Sequence, residues 1–334
     1  MQDPVTNQDV VDVATLLEEQ GLLYQEYLNH GYVQFLDVLP RLIPASVADT
    51  LRCDYCIPDA ARISYQGGTR KARQDAALID YLVSHRHTSP LEMAQVKFSL
   101  RMPIFVMRQH VRHRTASLNE ESARYSQLEA DFYIPEEITV NVGRQEAQTA
   151  HLSEPVREEI LAAFRASAAE QYSLYQTLLG DPDPGREVEG VPVSETASFD
   201  AYVALIEFLQ KDGIAVSREQ ARMVLGTNVY TRCVWSCDWK NLMHYLHLRC
   251  DKHAQKEIRH LAERIRNVCE FLFPVSWARY VDNFVDGITL TGTERQLLAN
   301  HLETGAPLVP DYVGWSPRRQ REFEKKVQDL GVSP

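Results

Sequence analysis

The chain has 334 residues, 44% of them hydrophobic, enough for one large domain or two ordinary ones with a sizeable core. Its formal net charge of -11 argues against sequence-independent nucleic-acid binding, which needs a basic face, while leaving room for a small basic cleft. No stretch approaches the roughly 18 uncharged apolar residues that would span a bilayer, and the opening Met1-Gln2-Asp3-Pro4 has neither the basic nor the apolar region of a secretory signal.

Residues 8–29 place Val10, Val13 and Leu17 at helical spacing, interrupted by Gly21, which predicts one or two N-terminal helices. A strand is expected over Gly31 to Leu39, then a helix over about 71–85 with Ala77, Leu78, Tyr81 and Leu82 facing inward. Val96, Phe98, Leu100 and Met102 alternate with polar residues, the signature of a half-buried strand. Pro103 then switches the period, because Ile104, Met107 and Val111 are three and four apart, and a helix with proline in its first turn follows. Ser153 and Pro155 open another helix, running to about Leu179. Gly180 to Ser194 is rich in proline, glycine and acid and is expected as a loop inserted between helical segments. From Asp238 to about Phe273 a single long helix is signalled by Leu242, Leu246, Ile258, Leu261, Ile265 and Val268. Two more helices are expected near 293–303 and 317–330, the last with Ser316 as N-cap, Pro317 at its first position and Gly331 beyond its end.

The sequence lacks a G-x-G-x-x-G fingerprint, a phosphate-binding P-loop and a G-x-S-x-G elbow. Any nucleotide must therefore be gripped by side-chain cations rather than by a glycine-rich backbone. Arg108 and Arg112 lie four apart on the helix after Pro103, with Gln109 one position round, and could present planar donors to a phosphate or a pyrimidine edge. A solvated helix face would look the same in isolation. Arg112-His113-Arg114 and Arg124 sharpen the question, since like charges this close repel and call for an offsetting anion.

Other features have plain structural readings. Ser89 with Glu92, Ser117 with Glu120 and Ser217 with Gln220 fit the capping-box template, and a capped helix start also points amides at an anion. His85, His87, His110 and His113 invite a metal, yet no H-E-x-x-H and no carboxylates at matching spacing accompany them. Cys53 and Cys56 form one C-x-x-C, but pairing it with Cys233 and Cys237 does not give the tight spacing of a structural zinc site. Six cysteines in so long a chain are not a disulfide framework, so reduced thiols and a cytoplasmic location are expected. Lys240 and His244 share one stripe of the long helix, and Arg249 and His253 the adjacent one.

Taken together these pieces resemble a family. Arg112-His113-Arg114, seven residues and then Ser122 form the R-H-R-x7-S signature of flavin-dependent thymidylate synthases, with Asn119-Glu120 and Arg124-Tyr125 matching the surrounding pattern. The flanks His87-Thr88-Ser89-Pro90-Leu91-Glu92, Arg108-Gln109, Phe132-Tyr133-Ile134-Pro135, Ala221-Arg222 and Leu248-Arg249 with His253-Ala254-Gln255 extend the likeness. It runs from about Gly31 to about Phe273 with an insertion around 140–212. That divides the chain into an N-terminal helical extension (1–30), the family domain (31–275) and a C-terminal helical extension (276–334).

The resemblance implies an α/β (α+β) fold: a central mixed or antiparallel sheet flanked by helices, with long helices at the interfaces of a homotetramer. It also implies FAD reduced by NADPH and transfer of a methylene group from methylenetetrahydrofolate to dUMP, giving dTMP. By the same resemblance Ser89, Arg112, His113, Arg114, Glu120 and His244 contact FAD, as do Asp238 and Lys240, which stand where some members have Asn and Arg. Gln109, Arg112, Ser122, Arg124 and Arg222 are implied to grip dUMP, with Glu120 at the boundary, and Arg249 to activate its ring. A guanidinium beside the uracil N3 would favour the ionised ring and make C5 a better nucleophile. Ser122 has no evident base partner and is expected to position the ligand rather than attack it. Two other readings compete: a nucleic-acid module using Arg108 to Arg124 as a phosphate patch, opposed by the charge, and a flavin-binding paralogue without turnover.

Overall fold

The computed structural model describes residues 10–63, 72–140, 148–149, 153–180, 183, 185–196, 205, 207, 209, 211, 215–309 and 314–332. The chain forms two compact units, residues 1–275 and 276–334.

The N-terminal stretch departs from the expected run of helix. Val10–Asp12 pairs antiparallel with Leu42–Pro44, and only α1 (Val13–Glu19) is helical, capped by the Asp12 side chain accepting from the Ala14 N–H at 2.9 Å. Gly21, at φ +66°, turns the chain, and the next segment, β1 (Tyr24–Tyr27), is a strand. Its polar and aromatic residues satisfy a sheet edge, and Tyr27 is fully buried.

β2 (Gly31–Leu39) spans the expected residues, with a bulge between Phe35 and Asp37. The helix α2 (Ala72–Ser84) follows, but Ile79, Leu82 and Val83 are its buried residues, whereas Tyr81 is 49% exposed. β3 (Gln95–Pro103) buries Val96, Phe98, Leu100 and Met102, as the alternation predicts. The helix α3 (Ile104–His110) starts at Pro103, yet buries Val106, Met107 and His110 and leaves Val111 exposed.

β4 (Ser117–Glu120) is a strand, not the capped helix start that its S-x-x-E pattern allows. Its N–H and C=O groups find partners across the sheet, which a side-chain cap could not supply along four residues. β5 (Tyr230–Asp238) completes a five-stranded antiparallel sheet in the order β1-β2-β3-β5-β4. In register, Phe98 faces Phe35 on one side and Trp235 on the other, and Leu100 faces Val33 and Cys233. Those residues form the buried face.

Between β4 and β5 the chain inserts α4 (Glu154–Leu179), which starts after Ser153 and stops at Gly180 in the left-handed conformation. Tyr172, Tyr175 and Ala169 pack on Phe132, Val188 and Val229 in a core of their own. The expected loop after it contains a hairpin, Glu187–Val188 against Val191–Pro192. Parts of the predicted insertion around 140–212, chiefly 141–147 and 197–204, lie outside the described residues.

The single helix expected from Asp238 to Phe273 is two: α5 (Trp239–Arg249) and α6 (Lys256–Leu272). The break falls where the Asp251 side chain accepts the His253 N–H at 2.7 Å, a local turn that competes with the helix. Ile258, Leu261, Ile265, Val268 and Leu272 of α6 are fully buried in the first unit. Its backbone carbonyls at Glu257 and Arg264 accept from the Tyr27 hydroxyl and the Gln25 amide of β1.

The second unit holds α7 (Gly292–Thr304) and α8 (Pro317–Asp329), close to the predicted bounds, around Leu297, Leu308, Phe323 and Val327. Ser316 caps α8, and Thr291 with Glu294 makes a full capping box on α7. Burial pushes the Glu294 carboxyl up, but the Thr291 N–H and the Lys326 ammonium outweigh it and hold it below its ordinary value. Among the described residues, no helix is long and apolar enough to cross a membrane, and no group of three or more His, Cys, Asp or Glu is arranged to hold a metal.

Candidate active site

One group of predicted residues gathers where the C-terminal end of α3 meets α5. Gln109 and His110 lie at that end, and Arg112, His113 and Arg114 occupy the turn just beyond it. α5 is launched directly from β5: Asp238, the last residue of the strand, is its N-cap and accepts from the Asn241 N–H at 3.0 Å and the Asn241 side-chain amide at 2.7 Å. This commits the Asp238 carboxylate to the helix start. Lys240 Nζ donates to Asn241 Oδ1 at 3.2 Å and lies 4.0 Å from Glu92.

Arg249, near the end of α5, reaches back and donates from Nη2 to the Gln109 carbonyl at 2.9 Å. That carbonyl belongs to the last turn of α3, where the negative end of the helix favours a cation. The His113 ring lies 6.2 Å from that of His244 and 5.5 Å from that of Tyr245. Burial lowers the His113 pKa, and His244, Arg249 and Lys240 press in the same direction against the pull of Asp238. The imidazole is thus biased toward its neutral form, able to donate from one nitrogen and accept at the other. Arg112 and Arg114 are exposed and form no ion pair among the described residues.

Ser89 lies in the turn before a short 3-10 helix, Leu91–Met93, whose cap makes no side-chain hydrogen bond. The capping role open to Ser89 and Glu92 is not realised. Ser89 instead lines a cavity of about 510 Å³ with Tyr81, His87, Pro90 and Met93.

A second group forms around β4 and the short helix Arg218–Ala221. Glu120 pairs with Cys233 across the sheet, and its carboxylate accepts from the Thr231 hydroxyl at 2.9 Å. Burial first, then the Glu120 charge, pushes the Cys233 thiol up to about 12, so that cysteine is not a thiolate. Ser122 Oγ accepts the Arg124 N–H at 3.4 Å, and among the described residues no side chain stands as a base for its hydroxyl. Arg124 pairs with Glu219, both about half exposed, while Arg218 Nη1 donates to the Tyr125 carbonyl at 3.0 Å. Arg222, exposed, follows in the next turn. Ser217 precedes this helix without a side-chain cap bond. Among the described residues no hydrogen bond or ion pair joins Ser122, Arg124 or Arg222 to Arg249.

Several partners carry no sequence signal of their own. The Gln109 side-chain amide bonds Gln255 Oε1, and the His110 ring lies buried with Nδ1 2.9 Å from the Tyr245 hydroxyl. His110 was visible only as one of a row of histidines, and Glu219 only as a generic acid in a helical first turn.

An α/β enzyme with arginines and imidazoles gathered near helix ends, and without a glycine-rich phosphate cradle, is the class these two groups define. The family model described as thymidylate synthase complementing protein matches residues 47–275. A flavin-dependent thymidylate synthase from Thermus thermophilus is 40% identical over 84% of this chain and 86% of its own length. One from Dictyostelium discoideum is 35% identical over 90% of this chain and 86% of its own. A crystal structure of the UMP/dUMP methylase PolB from Streptomyces cacaoi, bound with 5-Br UMP, superposes with a TM-score of 0.55 at 26% identity, covering 77% of this chain and 96% of that one. The chain belongs to the flavin-dependent thymidylate synthase family.

Proposed function

We propose that this chain methylates dUMP reductively to dTMP, with Arg249 as the residue that activates the pyrimidine. The observation that carries the reading is the Arg249 guanidinium, fixed on the Gln109 carbonyl beside His113 and His244. The residues suit an anionic flavin nucleotide: Arg112 and Arg114 are exposed cations with no ion pair among the described residues, and the His113 imidazole is half-buried. Bound FAD would supply hydride taken from NADPH, and methylenetetrahydrofolate the carbon unit.

The chain's own work is then electrostatic. Arg112 and Arg114 offset phosphate charge, while neutral His113 and exposed His244 and Ser89 offer donors and acceptors that do not compete with it. Lys240 adds a positive charge at the start of α5. Asp238 supports this face through the helix cap, at a position that the family resemblance puts beside the flavin. Gln109, Ser122, Arg124 and Arg222 orient the nucleotide, with Glu120 fixing the strand between the two groups. Arg249 stabilises negative charge on the uracil N3 and neighbouring carbonyl, which raises electron density at C5 without an enzyme nucleophile. Because Ser122, Arg124 and Arg222 make no bond to the Arg249 group among the described residues, the reading joins them across copies of the chain in a homotetramer. The six free cysteines suit a reducing cytoplasm.

The test is a purified sample followed by absorbance. It is expected to carry flavin, to bleach with NADPH in the absence of oxygen, and to form dTMP once dUMP and methylenetetrahydrofolate are added. Bleaching without dTMP would instead favour a paralogue without turnover. Arg249→Ala is expected to keep its flavin and lose roughly a hundredfold or more in dTMP formation, the size of a lost charge-stabilising donor. Near-parental turnover by this variant would remove Arg249 from the role.

A further inference from the structure

The structure assigns His110 and Tyr245 to a buried staple that positions Arg249, an inference resting on the reading of Arg249 as the ring-activating residue. Tyr245 and Arg249 are four apart on α5 and share a face of that helix. Gln109 and His110 are neighbours in the last turn of α3. The two helices therefore touch at two adjacent points. Arg249 Nη2 bonds the Gln109 carbonyl at 2.9 Å, and the Tyr245 hydroxyl meets His110 Nδ1 at 2.9 Å.

The two points differ in character. The first is partly exposed and ends a side chain with many rotatable bonds, so alone it leaves the guanidinium free to swing. The second is closed off: His110 and Tyr245 are both 0% exposed, and water cannot take the place of either partner. Trp235 closes the box, with its ring 4.7 Å from His110 and 5.1 Å from Tyr245. A hydrogen bond locked among three aromatic rings sets the spacing and rotation of α3 against α5. The Gln109 carbonyl, one residue away, is thereby placed for Arg249.

The fold accepts a cost for this bond. His110 Nε2 is buried and has no hydrogen-bond partner among the described residues. A phenylalanine or leucine would fill the same space with no orphaned atom, so packing does not account for an imidazole here. Burial also pushes His110 down to about 3, which keeps a second positive charge away from His113 and Arg249. An uncharged hydrogen-bonding ring is what the position requires if its task is to hold Arg249 without competing for its anion.

Tyr245→Phe in the holoenzyme removes one oxygen and keeps the ring. Its dUMP affinity, read from the change dUMP makes in the flavin absorbance, is expected to weaken roughly tenfold, with kcat falling by a similar factor. Flavin content and NADPH bleaching without dUMP should stay within about twofold. A general loss of structure would instead lower flavin content and melting temperature while leaving the dUMP Kd of the surviving sites alone. The decisive measurement is a double-mutant cycle with Arg249→Ala, in which Tyr245→Phe should cost less than about twofold if it acts through Arg249. The same cycle with His110→Phe is expected to show the same coupling. Equal losses in both backgrounds, or a parental Tyr245→Phe, overturn the staple while leaving the role of Arg249 standing. A parental Arg249→Ala overturns both.

Discussion

Ser122 Oγ accepts the Arg124 amide and meets no base among the described residues, so its hydroxyl stays a weak nucleophile. Ser122→Ala is expected to weaken dUMP binding by roughly a factor of ten, about one hydrogen bond to a charged ligand, and to retain measurable turnover. Complete loss of dTMP with intact dUMP binding would instead make Ser122 a nucleophile. His110 makes a different kind of prediction, because its pKa is about 3 in the folded chain against an ordinary 6.5. Below that ordinary value the unfolded chain takes up a proton that the folded chain refuses, so stability falls as pH drops through the interval toward 3. His110→Phe should flatten that part of the profile in urea unfolding measured at stepped pH. An unchanged slope would mean that His110 titrates normally in the fold.

At the scale of elements, the passage from β5 into α5 governs how the site is assembled. Asp238 is both the last residue of the strand and the cap of the helix, with two bonds from Asn241. Asp238→Ala should cost about 1 kcal/mol through the lost cap and lower the melting temperature by about 2–4 °C in a unit of this size. Asn caps as well as Asp, so Asp238→Asn should melt within a degree or so of the parent. A flavin affinity that changes sharply in Asp238→Asn at constant melting temperature would show that this carboxylate also touches the cofactor. The expectation of one helix from Asp238 to Phe273 failed for a local reason. Leu246 and Ile258 both belong to buried helical faces, so periodicity continued across the Asp251 turn without registering it.

At the scale of the whole molecule, no hydrogen bond or ion pair joins Ser122, Arg124 or Arg222 to Arg249 among the described residues. If the two groups of site residues are completed by neighbouring copies, two inactive variants can rescue each other. Arg249→Ala and Arg124→Ala, unfolded together and refolded as a mixture, are expected to regain up to about a quarter of parental activity per site, as random pairing of copies allows. Each variant alone should stay inactive. A mixture no better than its parts would place both groups in the same subunit's site.

The R-H-R-x7-S spacing, the alternation of Val96 to Met102, the helix start at Ser153 and the cap at Ser316 were legible because each depends on neighbours close in sequence. They sufficed for the family, the central strand and the long insertion helix. What local pattern could not settle was decided by packing: that residues 24–27 extend the sheet, that Ser117 to Glu120 pairs as an edge strand, and that Ile79 and Val83 rather than Tyr81 face inward. The meeting of Gln109 with Arg249 and of His110 with Tyr245 likewise spans well over a hundred residues of chain. Hydrophobic periodicity reports which face of an element is buried, and only the tertiary structure decides against what.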